Sequence, residues 1–82
     1  MYQIVFTGPV KSEFSKLDNE LKRRILGVLE RAKVRPEDFA KRLAGLPFWR
    51  LRAGNWRIIV EIDSRMKMII VHKIGNRENI YD

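Results

Sequence analysis

Three arginines with strand-like spacing are the residues of this sequence best suited to chemistry. Arg50 and Arg52 alternate along one short segment, and Arg57 follows Gly54-Asn55, a pair typical of a two-residue hairpin turn. In that register Arg52 lies opposite Arg57, a pairing of like charges that is unfavourable on its own. A bound phosphate would relieve the repulsion, because guanidinium groups hold phosphate oxygens through paired hydrogen bonds. The spacing therefore predicts a phosphate-binding site on one face of a sheet.

Strands in the second half of the chain would position these arginines. Three segments have the residue types of strands: Trp49 to Ala53, Trp56 to Ile62 and Met68 to Ile74. Because side chains alternate between the two faces of a strand, the arginines share one face with Glu61 and the apolar residues share the other. We expect helices to cover the apolar face and Arg57 to be exposed. The alternative is that the arginines only form a solvated surface, partly balanced by Glu61.

Helical patterns precede these strands. Proline suits the first turn of a helix that we place at Pro9 to Leu17, and Asp18 is a candidate N-cap for a second helix that reaches about Val34. The second helix has an apolar stripe with helical spacing, which predicts that it lies on a sheet. Its other face carries basic residues, which include Lys22, Arg23, Arg24 and Arg31.

The last strand candidate sets the order of the sheet. Residues 68–71 are apolar at every position, which is typical of a strand inside a sheet. The last strand is interior only if an early strand, Tyr2 to Phe6, pairs beside it. We therefore predict a single α+β domain over residues 1–82, in the order β-α-α-β-β-β. Its small four-stranded, mostly antiparallel sheet would carry the N-terminal helical hairpin on one face.

The composition restricts the classes of function. The chain has 82 residues, and 17 Lys and Arg against 10 Asp and Glu give a net charge of +7, which favours a polyanion such as nucleic acid. With no cysteine and one histidine, His72, we expect no metal centre and no cofactor. The longest apolar run has four residues, too short for a membrane span, so no membrane partner is expected. The N-terminus does not resemble a signal peptide, which predicts a cytoplasmic protein.

Two segments carry a combined motif, WRLRAGNWRIIV at residues 49–60 and IGNRENIY at residues 74–81. Together they resemble the signature of the RelE/ParE toxin superfamily, whose members belong to type II toxin–antitoxin pairs. The order of the predicted elements matches that family over the whole chain. The resemblance therefore implies a RelE-like fold for this sequence.

The resemblance also implies an activity. RelE-type toxins are metal-independent endoribonucleases that enter the ribosomal 30S A site, cut the mRNA there and so inhibit translation. Carried over by position, the catalytic set corresponds to five residues: Arg50, Arg52, Arg57, Arg77 and Tyr81. Contacts with ribosomal RNA would come from the basic face of the second helix: Lys22, Arg23, Arg24 and Arg31. The implied reaction is attack of a ribose 2′-OH on the adjacent phosphate, which requires in-line geometry, charge stabilisation and proton transfer.

Proton transfer is the part of this reaction that arginines serve least well, because a guanidinium hardly gives up its proton. Four other side chains near the predicted site are candidates for it: Glu61, His72, Glu78 and Tyr81. For His72, which lies in an apolar strand, a purely structural role is the alternative. For Tyr81 the alternatives are stacking on a base and anchoring of the C-terminal segment.

Two other functions remain open. The ParE branch of the superfamily inhibits DNA gyrase and shares the hairpin motif, although Arg77 and Tyr81 favour the nuclease branch. A catalytically weak member that only binds its antitoxin is the second alternative, since arginines stand at Arg50 and Arg52 where the best-known RelE has lysines. In every case the resemblance and the charge of +7 imply a small acidic antitoxin as the partner in a hetero-oligomer.

Overall fold

The computed structural model describes residues 1–76, over which eight elements follow one another. They are β1 (Gln3–Phe6), α1 (Gly8–Ser15), α2 (Asn19–Ala32), α3 (Pro36–Phe39), β2 (Lys41–Arg42), β3 (Trp49–Ala53), β4 (Trp56–Asp63) and β5 (Met68–Asn76). The two main helices end one or two residues earlier than the sequence pattern predicted. Within residues 1–76, no helix is long and apolar enough to cross a membrane.

The helices begin where the sequence signals predicted. Proline occupies the first turn of α1, where a backbone N–H would have no hydrogen-bond partner within the helix. Asp18 caps α2, because its Oδ1 accepts a hydrogen bond from the backbone N–H of Leu21 at 2.9 Å. The apolar stripe of α2 is buried through Ile25, Leu29 and Ala32, so this helix is held to the sheet along one side.

The sheet has five strands in the order β1-β5-β4-β3-β2. The α+β class is confirmed, and so is the pairing of the first strand with the last, which is parallel; the other pairs are antiparallel. The predicted count of four strands is one short, because β2 was not expected. This strand has only two residues and pairs Lys41 with Arg50 and Arg42 with Trp49. It therefore covers only one end of β3.

The β3–β4 hairpin has the register that the two-residue turn predicted. Ala53 pairs with Trp56, and Arg52 pairs with Arg57. Gly54 has φ +62°, a left-handed conformation that favours glycine over any residue with a Cβ. The turn chemistry thus fixes which side chains share a face.

The two faces of the sheet have different surroundings. The apolar face packs against α1 and α2 and forms the core, whose largest fully buried side chains on the strands are Leu51, Ile58, Val60, Ile69 and Val71. Both tryptophans, Trp49 and Trp56, pack partly buried against this core. We call the opposite side, which carries Arg50, Arg52, Arg57, Ile59 and Glu61, the open face.

Candidate nucleic-acid interface

The structure brings three of the predicted site residues onto the open face. Arg50 lies opposite Ile59 and Arg52 lies opposite Arg57, as the hairpin register requires. The three arginines differ in burial: Arg52 is exposed, Arg50 is half-buried with its Nε atom fully buried, and Arg57 is only 6% exposed. The expectation that Arg57 is exposed was therefore wrong.

Arg57 is buried because its side chain folds back toward the hairpin turn. Its Nη1 atom lies 3.4 Å from the carbonyl oxygen of Gly54 and 3.4 Å from that of Trp56, and it donates to both. These two carbonyls hold the guanidinium near the end of β4. The positive charge is therefore positioned before any ligand binds, which suits a group that must stabilise charge in a transition state.

A basic groove runs between α2 and the edge of β3 that β2 leaves uncovered. It consists of two neighbouring depressions of about 380 and 350 Å³, which share Val28, Arg31 and Arg52 as lining residues. We call it the arginine groove and define it by its cationic lining: Arg23, Arg24, Arg31, Lys41, Arg50 and Arg52. Sequence reasoning treated the arginines of the sheet and those of α2 as two separate surfaces. The structure joins them at Arg52.

An acidic side chain of α2 lies beside the arginine groove. Arg24 has a salt bridge with Glu20 at 3.9 Å, but both side chains are more than 60% exposed, so this pair contributes little. Phe39 also lines the groove and is 53% exposed. An aromatic ring among cations is a platform on which a nucleic-acid base can stack. The groove therefore combines phosphate-binding and base-stacking groups.

Three predicted site residues lie outside the described part of the chain, and a fourth is placed elsewhere. The three are Arg77, Glu78 and Tyr81, which belong to residues 77–82, for which the structure gives no description. Lys22 is not among the groove-lining residues; its Nζ lies 6.0 Å from the centroid of the Phe14 ring, on the side of α1. Of the four predicted RNA-binding residues on α2, the arginine groove thus contains Arg23, Arg24 and Arg31.

Lys41 and Phe39 are groove residues that sequence reasoning missed. Lys41 belongs to β2, and a strand of two residues leaves no periodic signal in a sequence. Phe39 belongs to α3, a four-residue helix that begins at Pro36. A proline suits the first turn of a helix, but nothing in the sequence pattern indicates that the last residue of this helix lies near the arginines.

A second cluster of polar and aromatic side chains lies further along the open face. His72 Nε2 lies 3.0 Å from Glu61 Oε1, and the ring of Phe48 meets the imidazole edge-on with 5.2 Å between the ring centroids. Ile70 pairs with Glu61, so alternation places His72 on the same face as Glu61, and a β-bulge lies at His72 itself. Val60 pairs with Val71 but Ile59 pairs with Lys73, so His72 is an extra residue in β5. Two of the four candidates for proton transfer are therefore in contact.

The α+β fold with its basic strands agrees with comparisons to known proteins. Residues 4–81 match the family model of the ParE toxin of type II toxin–antitoxin systems, parDE. The chain belongs to this family. It is a toxin of a type II toxin–antitoxin system within the RelE/ParE superfamily, as the motif at residues 49–60 and 74–81 predicted. A comparison with curated protein sequences gave no match.

The fold of this ParE-family toxin is similar to those in several solved structures. One is the Escherichia coli RelBE toxin–antitoxin complex, with a TM-score of 0.80 at 20% identity, covering 93% of this chain and 96% of that one. The archaeal RelE–RelB complex of Pyrococcus horikoshii gives 0.79 at 23% identity, covering 96% and 98%. The RelB–RelE complex of Methanococcus jannaschii gives 0.72 at 21% identity, covering 95% of each chain. At such identities the similarity establishes the fold.

Proposed function

We propose that this toxin is a ribosome-dependent endoribonuclease that cleaves mRNA in the A site of the 30S subunit and so inhibits translation in the cytoplasm. The observation that carries the proposal is the meeting of the open-face arginines with the arginines of α2 at the edge of β3. A single strand of RNA that follows this edge meets cations along its whole backbone. The arginine groove then binds the message or ribosomal RNA, and the open face holds the phosphate that reacts.

The open-face arginines would act on the charge that develops at phosphorus. When the 2′-oxygen attacks, negative charge accumulates on the non-bridging oxygens, and guanidinium groups that are already in place stabilise it. Arg57 is the best-placed of these groups, because the carbonyls of Gly54 and Trp56 hold it in position. Arg50 and Arg52 would hold the flanking phosphates. Arg77 and Tyr81 remain part of the proposed catalytic set, with Tyr81 stacking on a base.

We also propose that an acidic antitoxin binds the toxin in a hetero-oligomer. The solved structures from Escherichia coli and Methanococcus jannaschii are complexes of a toxin with an antitoxin. The net charge of +7 and the groove of six cationic residues favour an oppositely charged partner. Because such a partner would cover the groove that RNA needs, binding of the antitoxin and binding of RNA would compete.

Inhibition of DNA gyrase is the second candidate function, since the family model that matches residues 4–81 is that of ParE. A toxin of this kind poisons a protein and cuts no RNA. A member that binds its antitoxin without catalysis is the third candidate. The basic groove of α2 and β3 supports the RNA-cleaving candidate, because binding to a polyanion would use its cations.

Primer extension on mRNA from a translating extract tests the proposal, with a supercoiling assay run beside it. We expect new mRNA ends inside the codon that occupies the A site when the toxin is added. Lys22→Ala is a control variant that should give the same mRNA ends as the wild type, because it removes one positive charge from α2 outside the arginine groove. Unchanged mRNA ends together with blocked supercoiling would contradict the ribonuclease and would show instead that the protein inhibits DNA gyrase.

A further inference from the structure

We propose that His72 is the general base of the cleavage reaction and that Glu61 is its positioning residue. This inference rests on the proposed ribonuclease function and supplies the proton acceptor that the arginines cannot provide. The contact between His72 Nε2 and Glu61 Oε1, at 3.0 Å on the open face, is the observation behind it.

The hydrogen bond fixes which nitrogen of His72 can act. A carboxylate only accepts hydrogen bonds, so Nε2 carries the hydrogen and donates it to Glu61. The lone pair of the neutral imidazole then lies on Nδ1. A histidine held by a carboxylate in this way has a fixed tautomer and a stabilised protonated form, which are the properties that a general base requires. The side chain of His72 is 34% exposed, so a ligand on the open face can reach it.

The surroundings of the pair indicate a site and not only a surface ion pair. Phe48 packs edge-on against the imidazole and restricts its rotation. Ile70 pairs with Glu61, so the alternation of β5 places Ile70 and His72 on the face that carries Glu61. The bulge at His72 changes the parity of the residues that follow it, and bulges of this kind are frequent beside active sites.

His72 and Glu61 lie on the same face of the sheet as the arginines, further along β4 and β5. Glu61 follows Arg57 by four residues in β4, which is about 13 Å at the rise of a strand. Arg50 lies between them, opposite Ile59, and Lys73 pairs with Ile59 from the other side. Arg50 and Lys73 are the charged groups nearest to the pair in the register. A phosphate held by Arg50 brings the ribose beside it to His72.

The proton balance of the step is complete. Nδ1 of His72 takes the proton of the ribose 2′-OH as the 2′-oxygen forms its bond to phosphorus. The bond from phosphorus to the 5′-oxygen of the next nucleotide breaks, and that oxygen takes a proton from water. The products are a 2′,3′-cyclic phosphate and a 5′-hydroxyl end. The imidazolium, stabilised by Glu61, then returns its proton to solvent.

Single-turnover cleavage on programmed ribosomes between pH 5.5 and 9 tests this inference. We expect His72→Gln to lower the rate by roughly 10²–10⁴-fold, the usual contribution of a general base, and to flatten the acid limb of the pH–rate profile. Glu61→Gln should lower the rate at saturating toxin by a smaller factor and leave the half-saturating toxin concentration unchanged, because Glu61 orients the imidazole and does not bind the RNA. Glu30→Gln is a matched control, since it breaks an exposed ion pair of 3.1 Å with Lys33 on α2.

The outcomes separate this inference from the proposed function. Cleavage by His72→Gln at the wild-type rate with an unchanged pH profile overturns the role of His72 and leaves the ribonuclease standing. If His72→Gln does not fold, a Glu61→Gln protein that cleaves at the wild-type rate overturns the inference instead. Absence of cleavage by the wild-type toxin overturns the ribonuclease itself and the role of His72 with it.

Discussion

Replacing Arg57 by alanine should destabilise the domain as well as abolish cleavage. The side chain is 6% exposed, and its guanidinium donates to two backbone carbonyls at 3.4 Å. Hydrogen bonds from a charged donor contribute about 1.5–3 kcal/mol, and these long ones belong at the lower end. Loss of the packed methylene stem adds to the cost. We expect a loss of about 1–3 kcal/mol in the free energy of unfolding.

The loss in the free energy of unfolding can be measured as a decrease in Tm. For a domain of this length, each 1 kcal/mol shifts Tm by roughly 4–8 °C, so Arg57→Ala should unfold on the order of 10 °C below the wild type. Arg57→Met keeps an unbranched stem and removes the charge, so it should recover part of the stability and none of the cleavage. Arg52→Ala removes the exposed partner of the like-charged pair and should change the free energy of unfolding by less than about 0.5 kcal/mol.

The comparison of these three variants can refute the reasoning. An Arg57→Ala protein with the Tm of the wild type would mean that the two carbonyl contacts and the burial contribute nothing to the fold. Normal cleavage by a folded Arg57→Met protein would remove Arg57 from the reaction.

Three further predictions concern separate parts of the structure. In binding titrations, RNA affinity should fall with rising salt at a log–log slope of about −2 to −3 if three to four phosphates are bound. Arg31→Ala should make this slope shallower by about 0.7. A slope near zero would contradict electrostatic binding. Asp18→Ala should cost about 1 kcal/mol in urea unfolding through loss of the α2 cap, and an unchanged midpoint would count against the cap. Gly54→Ala should destabilise the hairpin by about 1 kcal/mol or more, because φ is +62° there; equal stability would contradict this conformation.

The hairpin could be predicted almost completely from the sequence. A two-residue turn at Gly54-Asn55 leaves one register, and that register decides that Arg52 faces Arg57 and that both lie away from the core. The α2 cap and the pairing of β1 with β5 were equally accessible. The hairpin and the cap depend on contacts close in sequence, whereas the pairing of β1 with β5 follows from the apolar run at residues 68–71, which needs a strand on each side.

Other features depend on tertiary contacts and could not be predicted. Alternation places Arg57 on the open face but does not tell that its guanidinium folds back onto the turn. The meeting of Arg31 and Arg52 depends on how α2 crosses the sheet, which no helical pattern specifies. The contact of His72 with Glu61 depends on the register of β4 and β5, in which Ile70 pairs with Glu61, and the loop between these strands is longer than a two-residue turn that would fix the register.

Cleavage of a synthetic mRNA with and without ribosomes tests the central claim most directly. Ribosomes stalled with a defined codon in the A site are mixed with the toxin, and the RNA ends are mapped by gel. We predict a cut inside that codon, a cut that is absent when the ribosomes are omitted and when Arg57→Met replaces the wild type. An intact message on the ribosome, or equal cutting of free RNA, would contradict the account.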